Sequence, residues 1–165
     1  MPERETIERA REDAREGKSA STQAGEFVRE EIHHIREGKH GAASPQQAIA
    51  IGLSKARRAG VKLPAPAKGK TSSKVREQAS RDNRKGRSRT GAKLSMRRSR
   101  ATLGTLNKQG TMAASHRSLS RQATASAKRR GASGRHKAAM KAVRTKGAEN
   151  RSDAAKKAAR TRRAA

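Results

Sequence analysis

Five histidines are the residues of this 165-residue chain best suited to acid–base or metal chemistry. Three of them, His33, His34 and His40, sit among Glu30, Glu31 and Glu37. On a helix, Glu30/His34 and His33/Glu37 are i,i+4 neighbours. Glu30-x-x-His33 also has the spacing that supplies ligands in carboxylate-bridged helical bundles. Such bundles draw further copies of the motif from other helices, and this chain has none outside residues 30–40. The residues are therefore assigned to a charged, solvated helix face, more positive below about pH 6.5. No metal and no cofactor is expected. The chain has no cysteine, which removes disulfides and thiolate ligands. No Gly-rich phosphate loop follows a strand, and there is no nucleophile elbow or Walker-type signature. The expectation is a protein that is not an enzyme.

The remaining chemistry is positive charge. Forty-two Lys and Arg oppose 14 Asp and Glu, a formal net charge of +28. A polycation of this strength seeks polyanions, because every phosphate it neutralises releases condensed counterions. The charge is also uneven. Residues 1–66 hold 12 basic and 10 acidic side chains, whereas residues 67–165 hold 30 and 4, with no acid from Asn83 to Ala148. The cations expected to meet nucleic acid are Arg84, Lys85, Arg87 and Arg89, then Arg97, Arg98 and Arg100. Arg117, Arg121, Lys128, Arg129 and Arg130 follow, and then Arg135, Lys137, Lys141, Arg144 and Lys146. Lys156, Lys157, Arg160, Arg162 and Arg163 close the set. Arg outnumbers Lys by 18 to 12 in this tail, which favours bidentate phosphate contacts and insertion into narrow A·T minor grooves.

Readers of single strands and of RNA sequence stack bases on aromatic side chains. This chain has one aromatic, Phe27, and it belongs to an apolar stripe. The expected partner is therefore double-stranded DNA, held through its phosphates with little sequence preference, as in a nucleoid-associated protein. RNA or ribosome binding is the alternative, since Arg-rich tails also fold on RNA phosphates. A third reading is an interaction protein whose head docks a partner. A membrane partner is not expected: the longest aliphatic run is Ala48-Ile49-Ala50-Ile51, with no Trp or Tyr to anchor it. Met1 is followed by Glu3, Arg4 and Glu5, not by an apolar segment, so no signal peptide is expected and the location is read as cytoplasmic.

These side chains need elements to carry them, and core-building capacity is small. Leu, Ile, Val, Phe and Met total 20 residues, about 12% of the chain, below the roughly 20% under which high charge usually means disorder. The expected fold is mostly α, with a small helical head over residues 1–63 and a Pro/Gly-rich linker over 64–72. A basic tail over 73–165 would be largely disordered or conditionally helical. In the head, residues 2–16 read as a solvated helix laced with pairs such as Glu5/Arg9. Residues 22–37 read as a second, with Thr22 as N-cap and an apolar stripe of Ala24, Phe27, Val28, Ile32 and Ile35. A third opens at Ser44 with Pro45 and a Ser-x-x-Gln capping box to Gln47. It lines Ile49, Leu53 and Ala56 on one face, and Ala48 and Gly52 leave room for a close neighbour. Phe27, Val28, Ile32, Ile35, Ile49 and Leu53 form the candidate head interface, for a homodimer or protein partner, or merely the closure of a hairpin. A helix-turn-helix fits less well, because the loop Lys39 to Ala43 exceeds the usual three or four residues. In the tail, Ser73, Ser95, Ser115, Ser133 and Ser152 read as N-caps, and Gly86, Gly110, Gly131 and Gly147 as stops.

Gly38-Lys39-His40-Gly41 followed by SPQQAIAIGLSKARRAG (Ser44 to Gly60) resembles the signature of a bacterial family of short basic proteins. STQAGEFVREEIHHIREGKHG (Ser21 to Gly41) is similar to it as well, and SHRSLSRQATASAKRRG (Ser115 to Gly131) less specifically so. The resemblance is strongest over residues 1–66. Some members of that family are labelled DNA-binding or plasmid-stabilisation proteins, which implies nucleic-acid binding without an established activity. The closing AAKKAARTRRAA resembles, in composition, the Lys/Ala-rich tails of histone-like proteins.

Overall fold

The computed structural model describes residues 2–88 and 95–163, apart from the side chains at 145, 146, 148 and 149. Seven α-helices and one 3₁₀ turn occur among the described residues, with no strand. They are α1 (Arg4–Arg15), α2 (Ala20–Arg36), α3 (Pro45–Arg58), α4 (Ser73–Arg87) and α5 (Met96–Asn107), the 3₁₀ turn Met112–Ala114, then α6 (His116–Arg129) and α7 (Gly131–Arg163). None of these helices is long and apolar enough to cross a membrane.

Local chemistry explains the helix ends. The hydroxyl of Ser44 accepts from the Gln47 amide at 3.2 Å, while the Gln47 carboxamide reaches back to the Ala43 N–H at 2.7 Å, one residue before the expected partner. Helix α2 starts earlier than expected, because Ser19 and not Thr22 is the N-cap, accepting from the Thr22 amide. Its far end closes with two backbone bonds, Gly38 N–H to Ile35 O at 3.1 Å and Lys39 N–H to His34 O at 2.9 Å. Gly38 has φ +72°, the left-handed conformation this closure requires.

Two small clusters make the core. In one, Ile32, Ile35, Ala42, Ala48, Ala113 and Ala114 are buried, with Val28 and Leu119 packed against them. In the other, Ala10, Ala24, Phe27 and Ala56 are buried beside Ile7, Leu53, Val61 and Leu63. With so few large side chains, the helices must approach closely. At the α2–α3 crossing, a Cβ on Gly52 would stand 2.7 Å from Val28 Cα, so the room read from Ala48 and Gly52 is fully used. Burying Phe27 contributes roughly 1.5–3 kcal/mol.

Three expectations change. Helix α1 is not merely solvated: Thr6 and Ala10 are buried, it packs on α2, and Arg9 Nε meets Glu26 Oε2 at 2.8 Å. Small side chains suffice for so close a contact. The structure also divides later than residues 64–72. Its compact units are Met1–Ser120 and Arg121–Ala165, because α4 packs on α3 and the Ala113–Ala114 pair completes the first cluster. Finally, the tail, expected to be largely disordered or conditionally helical, is helical over most of its described length. Ser95 and Ser115 do cap, accepting from the amides of Arg98 and Ser118, whereas Ser133 and Ser152 lie inside α7. Ser72 takes the place of Ser73. Helices α5 and α7 nevertheless bury none of their described side chains.

Candidate nucleic-acid interface

Helix α4 has two unlike faces. Ala79 and Asp82 are buried against α3. The Asp82 carboxylate accepts from Ser54 Oγ at 2.7 Å and Gln78 Nε2 at 3.0 Å, and pairs with Arg58 Nε at 3.1 Å. Asn83 Nδ2 donates to Leu63 O at 3.0 Å, so the Pro-rich stretch is tied back to α4 at its start. Gly86, read as a helix stop, instead lies inside α4, where any side chain would collide with the backbone of Arg57. Arg57 is itself buried. Desolvation holds its guanidinium below the ordinary range, with the Asp82 charge opposing that effect. Its Nε finds no hydrogen-bond partner, a cost tolerated where α3, α4 and Pro64 meet.

The opposite face lines a cleft of about 640 Å³ with Arg76, Arg81, Arg84 and Arg87, together with Ala65, Glu77, Ser80 and Asn83. Arg76, Arg84 and Arg87 share a face because offsets of eight and eleven residues return to the same side of an α-helix. Glu77 lies 3.9 Å from Arg81, and both are at least half exposed, so that pair offsets little of the charge. Arg76 and Arg81 are not among the cations expected from the sequence. Asp82 points the other way, and the eight- and eleven-residue offsets were the signal that could have found Arg76.

Apart from Arg84 and Arg87 in that cleft, the expected cations are displayed and not gathered. Arg84, Lys85 and Arg87 on α4, Arg97, Arg98 and Arg100 on α5, and Arg117 and Arg121 on α6 are exposed. So are Lys128, Arg129, Arg130, Arg135, Lys137, Lys141, Arg144, Lys156, Lys157, Arg160, Arg162 and Arg163. Arg89 and the side chain of Lys146 lie outside the described residues. Helix α5 adds exposed Met96 and Leu103 beside its arginines. Gly131 (φ +69°) separates α6 from α7, and Gly147 (φ +67°, ψ 171°) interrupts α7.

The expected head interface is spent inside the fold. Phe27, Ile32 and Ile35 are buried, Val28 and Leu53 pack on the two clusters, and Ile49 is partly exposed. The histidine pairings also differ from those read by spacing. Glu30 bonds to Lys55 Nζ and to the Glu3 amide, each at 3.2 Å. His34 instead meets Glu3 Oε1 at 2.8 Å, and His40 meets Glu31 Oε1 at 3.3 Å. The hydrogen bond from His34, with help from Lys39, holds the Glu3 carboxyl below its usual range.

A family model, that of the family of unknown function DUF6496, matches residues 15–68. That stretch spans α2 and α3 and contains Ser21 to Gly60. No curated protein and no solved structure matches the chain.

Proposed function

We propose that this protein is a non-enzymatic, nucleoid-associated binder of double-stranded DNA that holds phosphates with little regard to sequence. The observation that carries the reading is the arginine-lined cleft of α4, set in the folded unit, together with the exposed cations of α5, α6 and α7. Guanidinium groups on a fixed helix face grip phosphate oxygens in bidentate fashion, and the remaining cations follow the backbone. The one aromatic side chain, Phe27, is buried, which supports backbone tracking over base stacking and so duplex over single-strand partners.

Helix formation in the last unit belongs to the same mechanism. Helix α7 buries none of its described side chains, and like charges such as Lys137 and Lys141 stand one turn apart. We take its helix to be conditional, favoured once phosphates cancel that repulsion. The test is a salt titration of binding to a duplex and to scrambled duplexes. If roughly 10 phosphates are neutralised, log K falls against log salt with a slope of about −9. A slope near zero, or more than about a hundredfold preference for one duplex, overturns phosphate tracking. Tighter binding to structured RNA in direct competition overturns the choice of DNA.

A further inference from the structure

We propose that Glu31, His34 and His40 form a binding site for one divalent transition-metal ion of the Zn²⁺ class at the end of α2. One donor atom from each of these residues lies within 4.8 Å of the other two. Two of them stand on one helix face, as Glu31 and His34 are three residues apart. The third is delivered by the turn at Gly38, which folds His40 back toward α2. The His34 and His40 rings meet edge to face, 6.3 Å between centroids.

The local charge balance calls for a cation. Glu30 and Glu31 are both buried, their side chains 2% and 0% exposed, and they share one ammonium, that of Lys55. Lys55 Nζ takes Glu31 Oε2 at 2.6 Å and Glu30 Oε1 at 3.2 Å. Glu31 Oε1 is left with the His40 ring, and neither Glu31 oxygen has a properly directed hydrogen bond.

The tautomer of His40 sharpens the point. Its Nδ1 lies 3.1 Å from the carbonyl oxygen of Gly41, which can only accept, so Nδ1 carries the proton. The other ring nitrogen, Nε2, faces Glu31 Oε1 at 3.3 Å. Metal bonds of about 2.0–2.2 Å in a tetrahedral site put neighbouring donors roughly 3.3–3.6 Å apart. The Glu31–His40 separation matches that edge.

Outer contacts are of the kind that orient metal-binding histidines: a backbone carbonyl on His40 and the Glu3 carboxylate on His34. Imidazole with one carboxylate suits Zn²⁺, Co²⁺ or Ni²⁺ and not Mg²⁺, which prefers oxygen alone. Three protein ligands leave a fourth position for water. The bound ion would pin α2, the turn after it and, through Glu31 and Lys55, α3.

The experiment uses the full chain stripped with a chelator and then titrated with ZnCl₂ by calorimetry, and with CoCl₂ by visible absorption. One equivalent of Zn²⁺ is expected to bind with micromolar or tighter affinity, and Co²⁺ to give the intense bands of a tetrahedral site. Glu31→Gln alters a fully buried charge, so His34→Asn and His40→Asn, whose side chains reach solvent, carry the test. Each is expected to weaken Zn²⁺ binding at least tenfold and to abolish the cobalt bands while circular dichroism stays unchanged. The double variant His116→Asn/His136→Asn, at exposed positions, should bind as the parent does. Absence of binding at about 100 µM Zn²⁺ overturns the site. Affinity unchanged in both His34→Asn and His40→Asn overturns it equally.

Discussion

At the scale of single residues, the α3–α4 joint depends on a carboxylate that looks ordinary in sequence. Asp82 stands in a basic stretch, yet it is 1% exposed and gathers Ser54, Arg58 and Gln78. Asp82→Ala should lower unfolding stability by about 2 kcal/mol, since charged hydrogen bonds are worth about 1.5–3 kcal/mol each and Arg58 can turn to water. Chemical denaturation checks this, and an unchanged midpoint would mean that α4 is not part of the folded unit. Gly52→Ala should cost about 1–3 kcal/mol by overpacking against Val28. The same denaturation curves report it. Gly52 was legible, because a small residue inside an apolar helix face announces a close neighbour. Asp82 was not, for its partner Ser54 lies 28 positions away and no period connects them. Glu31 and His34 were half legible. Their three-residue spacing equals that of Glu30 and His33, but the register of α2 decides which pair faces inward, and His40 arrives only through the turn at Gly38.

At the scale of elements, capping chemistry was readable in part, since Thr22, Ser73, Ser133 and Ser152 are not the caps, and burial was hardly readable. Ser44, Ser95 and Ser115 start helices as their sequence positions imply, while Gly38 and Gly60 end them. Composition misjudged α1 and α4, whose buried faces are built from Thr6, Ala10, Ala79 and Asp82. Counts of large apolar residues cannot register packing done by alanine, threonine and glycine. Composition also led to disorder for α7, where local propensity and lack of tertiary support point in opposite directions. A peptide of residues 131–163 settles which term wins. In dilute buffer it should show little helix by circular dichroism, and should gain it on addition of duplex DNA. A peptide already helical in buffer would show that alanine-rich stretches such as Lys137 to Val143 outweigh charge repulsion.

At the scale of the whole molecule, charge and packing divide the chain at different points. Residues 1–66 carry a net +2, but the compact unit extends to Ser120. Residues 121–165 hold 15 Lys and Arg against two acids, a net +13, which leaves +15 of the +28 on residues 1–120. A chain ending at Ser120 should therefore melt cooperatively near the temperature of the parent. It should still bind duplex DNA, with a salt slope closer to zero, because fewer phosphates are neutralised. Loss of the cooperative melt would show that residues 121–165 support the first unit. An undiminished slope would place every phosphate contact within residues 1–120.

The interruption at Gly147 leaves 16 residues of α7 on either side, each arm about 24 Å long at 1.5 Å per residue. A straight rod laid on a cylinder meets it along a short tangent and then departs from the curving track of charge. A rod with one joint meets the cylinder twice. Residues other than glycine rarely adopt the backbone conformation of that joint, so Gly147→Ala would favour a single stiff shaft of 33 residues. The loss would be one of reach around the duplex and not of charge, and the same number of cations would find fewer phosphates.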